Sequence, residues 1–327
     1  MKHLILNDLG HVVNLGDRYV HHWLLAGLGQ HLKESWRVTC VSSVLDEEDE
    51  LRGFTNLQEL DLTEASEDAD LLLIFGGSVF FADRIDPLPD PNAIHCPIAI
   101  WGGVQNPDIL IDPPERRAKM EHLLDSIAIW FYRFQSEWEF IHGAYPAPYA
   151  TRAGADLLFT YPLVTTQRKR LGVVCDTHSE ELFPGTAESL SYLAKRFDGE
   201  KVALYGEPND PVPEGFHRSE FTFADVTCCS HIVTGRLHIG ILALTQGIPT
   251  VFLSNGGMKL KWLAAEFGLD DWVIDLCEVD PDAVGPFAWE LLANKWPRER
   301  VLATVQGLAN NARRTTADLA RMIENGV

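Results

Sequence analysis

A chain of 327 residues is long enough for two medium α/β domains or one large one. Its 46% hydrophobic and 23% charged residues are the make-up of a globular protein with a substantial core. The formal net charge of -20 argues against nucleic acid and anionic lipid surfaces as partners, although a local cluster of Arg, His and Lys can still hold a small charged substrate.

The first residues, Met1-Lys2-His3-Leu4-Ile5-Leu6-Asn7-Asp8, turn polar too soon for a signal peptide and read instead as a strand over 3–6. A polar loop with Asn14-Leu15-Gly16-Asp17 leads into a helix over 17–32, whose Val20, Trp23, Leu24, Leu28 and Leu32 share one face. Asp17 is placed to cap that helix. A strand follows over 37–43, and the acidic run 46–50 reads as a solvated segment. The apolar run 70–75 is a buried strand ending in Gly76-Gly77-Ser78, and 97–101 repeats the device before Gly102-Gly103. Paired glycines at a strand end let a ligand or another backbone approach closely. A strand over 127–132 precedes Arg133-Phe134-Gln135-Ser136 and a short helix to about His142, and residues 156–159 close this half.

The polar stretch 165–170 breaks the pattern and marks a domain boundary, giving domains of 1–165 and 166–327. Beyond it strands are expected over 171–175, 201–205, 231–234, 250–254 and 272–276. Helices are expected over 187–197, 238–246, 258–267, 281–293 and 297–324. Apolar strands alternating with helices indicate parallel sheets covered on both faces. The expected fold is therefore α/β, with two Rossmann-like domains and a cleft between them. The six cysteines, Cys40, Cys96, Cys175, Cys228, Cys229 and Cys277, form no Cys-x-x-Cys and read as structural thiols of a reducing compartment. No apolar run reaches the roughly 18 residues of a membrane span, and a cytoplasmic protein is expected.

The most informative stretch runs from Thr234 to Pro249. A short strand, a tight turn at Gly235, a helix stopped by Gly247-Ile248-Pro249 and a second strand make a βαβ unit. Ligands of such units sit at the carboxyl ends of the strands, where Arg236 and His238 fall. The adjoining helix start, with its open N–H groups and partial positive charge, favours an anion. A fixed cation, a titratable imidazole and a helix start at one spot suit holding a phosphate or carboxylate and moving a proton. The plainer reading is that Arg236 finishes the strand and His238 bonds locally in the first turn.

Taken in order, these pieces resemble the polysaccharide pyruvyl transferases. Asn14-Leu15-Gly16-Asp17 is similar to the family's Asn-x-Gly-Asp, and Gly76-Gly77-Ser78 to its Gly-Gly-Gly, with Ser78 replacing the third glycine. Arg133 and Ser136 match its Arg-Asp-x-x-Ser, with Phe134 in place of Asp, and Asp156 follows where the family also has an Asp. Arg236-Leu237-His238, opening a helix that ends in Gly247-Ile248-Pro249, is similar to its most specific signature, and Lys259 sits where the family carries a lysine.

The resemblance implies a two-domain fold like the GT-B glycosyltransferases. It implies transfer of a pyruvyl group from phosphoenolpyruvate to a sugar, usually as a cyclic ketal with release of phosphate, without metal or organic cofactor. Phosphoenolpyruvate is a compact trianion that needs several fixed cations, for which Arg236, Arg133 and Lys259 are the set. His238 is the candidate proton carrier. Asp17 is a candidate base toward the acceptor hydroxyl, besides its capping role. Substrate contacts carry over to Asn14, Gly16, Gly76, Gly77, Ser136 and Leu237. With the donor on the carboxyl-terminal half, the acceptor, whether polymer, lipid-linked sugar or small glycoside, is expected on the amino-terminal half. His178, in a loop after a strand, carries no family role, and Trp23, Trp101 and Trp130 suit the core better than a sugar platform. Two rival readings are a GT-B glycosyltransferase using a nucleotide sugar and a non-catalytic glycan-binding member.

Overall fold

The computed structural model describes residues 1–7, 15–33, 35–42, 54–56, 60–76, 88–103, 114–146, 149–165, 168, 170–174, 183–198, 200–205, 212–220 and 222–325. Asn14, Gly77, Ser78, Cys175, His178 and the acidic run lie outside them, as do the side chains of Leu15, Asp17 and Arg18. The chain divides into two compact units.

Unit 1 comprises Met1–Val12, Gly16–Leu157 and Leu308–Val327. Its strands are β1 (Lys2–Asn7), β2 (Trp36–Ser42), β3 (Phe54–Asn56), β4 (Leu71–Gly76), β5 (Ile98–Gly102), β6 (Ile129–Tyr132) and β7 (Thr151–Ala153). They form a seven-stranded sheet in the order β3-β2-β1-β4-β5-β6-β7, with every pair parallel. Its helices are α1 (Leu15–His31), α2 (Leu62–Glu67), α3 (Pro114–Ser126) and α4 (Gln135–Ala144). The run Leu71–Phe75 is buried at every residue, as a parallel strand covered on both faces must be. Val20, Leu24 and Leu28 of α1 are buried, so the apolar stripe read from the sequence is the packed face.

Unit 2 comprises Val13–Leu15 and Leu158–Gly307. Its strands are β8 (Arg170–Val174), β9 (Glu200–Tyr205), β10 (His217–Glu220), β11 (Cys229–Thr234), β12 (Thr250–Ser254) and β13 (Val273–Asp275). They pair in parallel in the order β10-β9-β8-β11-β12-β13. The helices are α5 (Thr186–Ala194), α6 (Phe223–Thr227), α7 (Leu237–Thr245), α8 (Lys259–Glu266), α9 (Val284–Ala293) and α10 (Arg298–Asn325). Both sheets are doubly wound, with the strand order reversing between β1 and β4 in one and between β8 and β11 in the other. At such a reversal the connections leave in opposite directions and open a crevice beyond the carboxyl ends of the strands.

Four expectations need correction. The units divide at Leu157/Leu158, before the polar stretch. The reason is that this stretch is fastened into unit 2: Val164 N–H donates to Gln246 Oε1 (2.7 Å), Gln246 Nε2 donates to the Pro162 carbonyl (3.0 Å), and the Arg168 guanidinium donates to the Gln246 carbonyl. The carboxyl-terminal part of α10 belongs to unit 1, where Thr316 packs against Gly27 of α1, Asp318 pairs with Arg152, and the Glu324 carboxylate accepts the Lys33 N–H (2.7 Å). Residue 17 lies inside the first turn of α1, which begins at Leu15, and so is not its N-cap. Residues 157–160 form a 3-10 turn, and the last strand of the first sheet is β7 instead. The sequence reading also passed over the edge strands β3 and β10 and the helices α2, α3 and α6.

Of the described cysteines, Cys96 and Cys229 are buried, and burial pushes their thiols up to about 11 and about 12. Cys40 and Cys228 are half-buried and Cys277 is exposed, so the buried-thiol reading applies to two of them. No described helix is long and apolar enough to cross a membrane.

Candidate functional site

In unit 2, β11 ends at Thr234, beside the reversal of the sheet. The Thr234 hydroxyl accepts the Arg236 N–H (3.0 Å), which closes a tight turn and fixes where the next helix begins. Arg236 is the N-cap of α7, in extended conformation (φ -104°, ψ 125°). Arginine is an unusual N-cap, because its side chain has no acceptor to offer the first turn. All nine residues of α7 are buried, including His238 in the first turn. The helix ends in a Schellman motif: Ile248 N–H bonds the Ala243 carbonyl (3.0 Å), Gly247 N–H bonds the Leu244 carbonyl (2.9 Å), and Gly247 sits at φ 60°. The stop read from Gly247-Ile248-Pro249 is this motif.

One strand over, β12 leads through Asn255–Met258 to α8, whose first residue is Lys259. Lys261, two positions on, is committed to Asp275 at the end of β13. Burial raises the Asp275 carboxyl, but the Lys261 ammonium and the Cys277 N–H (3.1 Å) outweigh it and hold the group below its ordinary value. Thus β11 and β12, paired side by side, deliver Arg236, His238 and Lys259 to one edge of the sheet. Among the described residues neither first turn, of α7 or α8, carries an acidic side chain.

In unit 1 a small, open recess with room for about one water molecule lies at the carboxyl ends of β4, β5 and β6. Gly76 and Gly102, the last residues of β4 and β5, stand opposite each other in register. Both have positive φ (122° and 153°), a conformation that requires glycine. Phe75 and Trp101 precede them and Val20 of α1 adds an apolar wall. Arg133, just after β6, is buried and donates from Nη2 to Glu137 Oε1 at 2.9 Å, while its own N–H donates to Glu137 Oε2 at 3.2 Å. Glu137 is wholly buried in the first turn of α4. It fits because residue 103 is glycine: a Cβ there would lie 1.6 Å from Glu137 Oε1.

Asp156 lines the same recess and is 5% exposed. It follows Ala155, which has φ 58°, the one non-glycine residue with positive φ among those described. Ala155 is held in that strained state by the Trp101 indole, which donates to its carbonyl (2.8 Å), and by its own N–H bond to the Tyr132 carbonyl (3.2 Å). Such strain is retained where the surroundings over-determine it.

The sequence-derived candidates therefore fall into two groups. Arg236, Leu237, His238 and Lys259 share the crevice edge of unit 2, with Leu237 buried. Gly76 and Arg133 share the recess of unit 1; Ser136 is half-buried in the first turn of α4, and Gly16 is buried in α1. Arg133, expected among the donor's cations, belongs to unit 1 and faces the Glu137 carboxylate. Glu137 was missed from the sequence, although its spacing from Arg133 across a helix start was a readable signal. Trp101 and Trp130 are core residues: each indole N–H is bonded to a carbonyl, that of Ala155 and of Gly102 (2.9 Å) respectively. Among the described residues no group of three or more His, Cys, Asp or Glu side chains is placed to hold a metal ion.

No family model and no curated protein matches this sequence. Solved structures do match over the whole chain. The UDP-GlcNAc 2-epimerase from Neisseria meningitidis bound to UDP-GlcNAc is 12% identical, with 98% of this chain and 100% of that one covered and a TM-score of 0.64. The calicheamicin glycosyltransferase is 15% identical, with 99% and 98% covered and a TM-score of 0.59. The spinosyn forosaminyltransferase is 14% identical, with 99% and 98% covered and a TM-score of 0.57. The chain has the two-domain α/β architecture of the GT-B glycosyltransferases.

Proposed function

We propose that this protein is a transferase that seats a phosphorylated donor at the amino terminus of α7 and passes a group from it to a sugar hydroxyl. One observation carries the proposal: Arg236, His238 and Lys259 stand at the starts of two adjacent helices, beyond the carboxyl ends of the paired strands β11 and β12, where ligands of doubly wound sheets sit and helix N–H groups favour an anion.

Two donors fit, and different observations favour them. The whole-chain likeness to glycosyltransferases and to an epimerase bound to UDP-GlcNAc supports a nucleotide sugar, and does so better than it supports pyruvyl transfer. Arg236-Leu237-His238 with Lys259 supports phosphoenolpyruvate, through the resemblance to the pyruvyl transferases and through the need of a compact trianion for clustered cations. In that second reading His238 gives a proton to the methylene carbon of the enol. The neighbouring carbon then becomes oxocarbenium-like and takes up a sugar hydroxyl. A second hydroxyl displaces phosphate, closing the ketal; of the two hydroxyl protons, one restores His238 and the other leaves with phosphate.

The experiment is incubation with a panel of glycosides and either phosphoenolpyruvate or UDP- and GDP-sugars. Release of phosphate with gain of a pyruvyl unit supports the second reading, and release of nucleotide with gain of a sugar supports the first. No transfer from any donor overturns the proposal.

A further inference from the structure

We propose that Thr234 is a positioning residue for the donor: its hydroxyl sets the backbone at Arg236, and through it the guanidinium, for an anionic group at the start of α7. The inference rests on the reading above, in which an anionic donor sits there, and adds which buried group prepares the site for it.

Local chemistry is the first argument. An N-cap side chain ordinarily fixes a helix start by accepting an N–H of the first turn. A guanidinium has no acceptor, and Arg236 makes no such bond. The task falls to the residue two positions earlier. The Thr234 hydroxyl accepts the Arg236 N–H at 3.0 Å and lies 3.5 Å from the Arg236 carbonyl, toward which it donates. Thr234 is 0% exposed, so bulk water is not at hand to replace that hydroxyl. A helix start fixed in this way lets the N-cap position itself carry a cation.

The rest of α7 is held by other means, so the bond matters at its start. The Schellman motif at Gly247 closes the far end. The middle lies tight on its neighbours at Gly240: a Cβ there would come 3.0 Å from Phe252 Cε1 of β12 and 3.3 Å from Leu263 Cδ2 of α8. Every residue of the helix is buried, whereas Arg236 just before it is half-buried and reaches solvent.

The device recurs along this edge of the sheet. Ser254, the last residue of β12 and 1% exposed, donates its hydroxyl to the Gly257 carbonyl (3.0 Å) in the loop before Lys259. Asp275, the last residue of β13, accepts the Cys277 N–H (3.1 Å) and holds the Lys261 ammonium. Three neighbouring strands thus end in a polar side chain bonded to the chain just beyond. Fixing the backbone beforehand reduces what a ligand must order on binding. If loss of the Thr234 hydroxyl leaves Arg236 correctly placed in about a tenth of the molecules, the apparent dissociation constant rises about tenfold.

The test is calorimetric binding of phosphoenolpyruvate, UDP and GDP to the folded full chain, as wild type, Thr234→Val, Thr234→Ala and Thr234→Ser. A probe that binds wild type is expected to bind Thr234→Val and Thr234→Ala about tenfold more weakly, and Thr234→Ser, which keeps the hydroxyl, within about threefold of wild type. A role in packing or stability alone would lower the unfolding midpoint and leave the affinity of the folded protein unchanged. The second readout is coupling: added to Arg236→Ala, the change Thr234→Val should weaken the probe by less than about twofold, because it acts through the guanidinium. Wild-type affinity in Thr234→Val, a Thr234→Ser protein as weak as Thr234→Val, or full additivity with Arg236→Ala would overturn the proposal. Two variants without the hydroxyl keep the comparison decisive if one of them fails to fold. A wild type that binds none of the three probes removes the functional reading and this inference with it, whereas a wild type that binds beside an indifferent Thr234→Val removes this inference alone.

Discussion

The Arg133 guanidinium and the Glu137 carboxylate meet at 2.9 Å with both side chains sealed from solvent, and the space they occupy exists because residue 103 has no Cβ. Removing one partner from such a pair costs about 3–5 kcal/mol, because a buried charge loses its close counter-charge. Glu137→Ala is expected to lose stability on that scale. Gly103→Ala should come close to it, since its Cβ would displace the carboxylate. Urea unfolding of both variants checks this; a Gly103→Ala protein as stable as wild type would show that Glu137 has another place to go.

His238 should act in proton transfer more than in donor binding. His238→Gln keeps most of the size and one hydrogen bond but removes the titratable ring. If phosphoenolpyruvate is the donor, turnover should fall by about 10²-fold or more with little change in donor affinity. Single-turnover rates and equilibrium binding on the same variant separate the two. Normal turnover would return His238 to a local role in the first turn of α7.

Two glycine substitutions should have opposite signs. Gly247 lies at φ 60° as the closing residue of the α7 Schellman motif, where a side chain is strained. Gly247→Ala should therefore destabilise by about 1 kcal/mol. Gly307 lies within α10, and an added Cβ there meets nothing within 4 Å. Gly307→Ala should stabilise by about 0.4–1 kcal/mol through helix propensity and a less mobile unfolded chain. Thermal midpoints of the pair test whether both helices are correctly bounded.

Stability should fall with pH in two separate windows. Burial lowers His231 below its ordinary 6.5, and burial together with the Arg37 guanidinium lowers His3. Both then bind fewer protons folded than unfolded. Their contribution is complete above about pH 6.5 and is lost as pH falls through the lowered folded values. Asp275, held low by Lys261 and the Cys277 N–H, adds a second loss below its ordinary 3.8. Urea midpoints measured from pH 7.5 to 5 should decline in wild type and decline less in His231→Gln. An unchanged slope would mean that His231 is not the group titrating.

The sequence made the β11–α7–β12 unit legible because its signals are local: an unbroken apolar strand, a glycine stop, and a proline that forbids continuation. Strands β1, β4, β5, β8 and β9 were legible for the same reason. Short edge strands such as β3 and β7 were not, since three residues carry no readable period and gain their pairing from the sheet. The boundary between units was misplaced because Gln246, far along the chain, ties the polar stretch 162–168 into unit 2. The cation set was legible as residue types. That Arg133 is answered by Glu137, and belongs to the other unit from Arg236, depended on tertiary placement.

Donor binding by wild type and Arg236→Ala tests the central claim most directly. Thermal unfolding is followed with phosphoenolpyruvate, UDP or GDP added singly at increasing concentration. At about 100 times its dissociation constant a ligand that binds only the folded state stabilises by about 2.7 kcal/mol, a readily measured rise in midpoint. At least one of the three should raise the wild-type midpoint, and the same concentration should leave Arg236→Ala nearly unmoved. A wild-type midpoint indifferent to all three, or an equal rise in Arg236→Ala, would contradict an anion site at the start of α7.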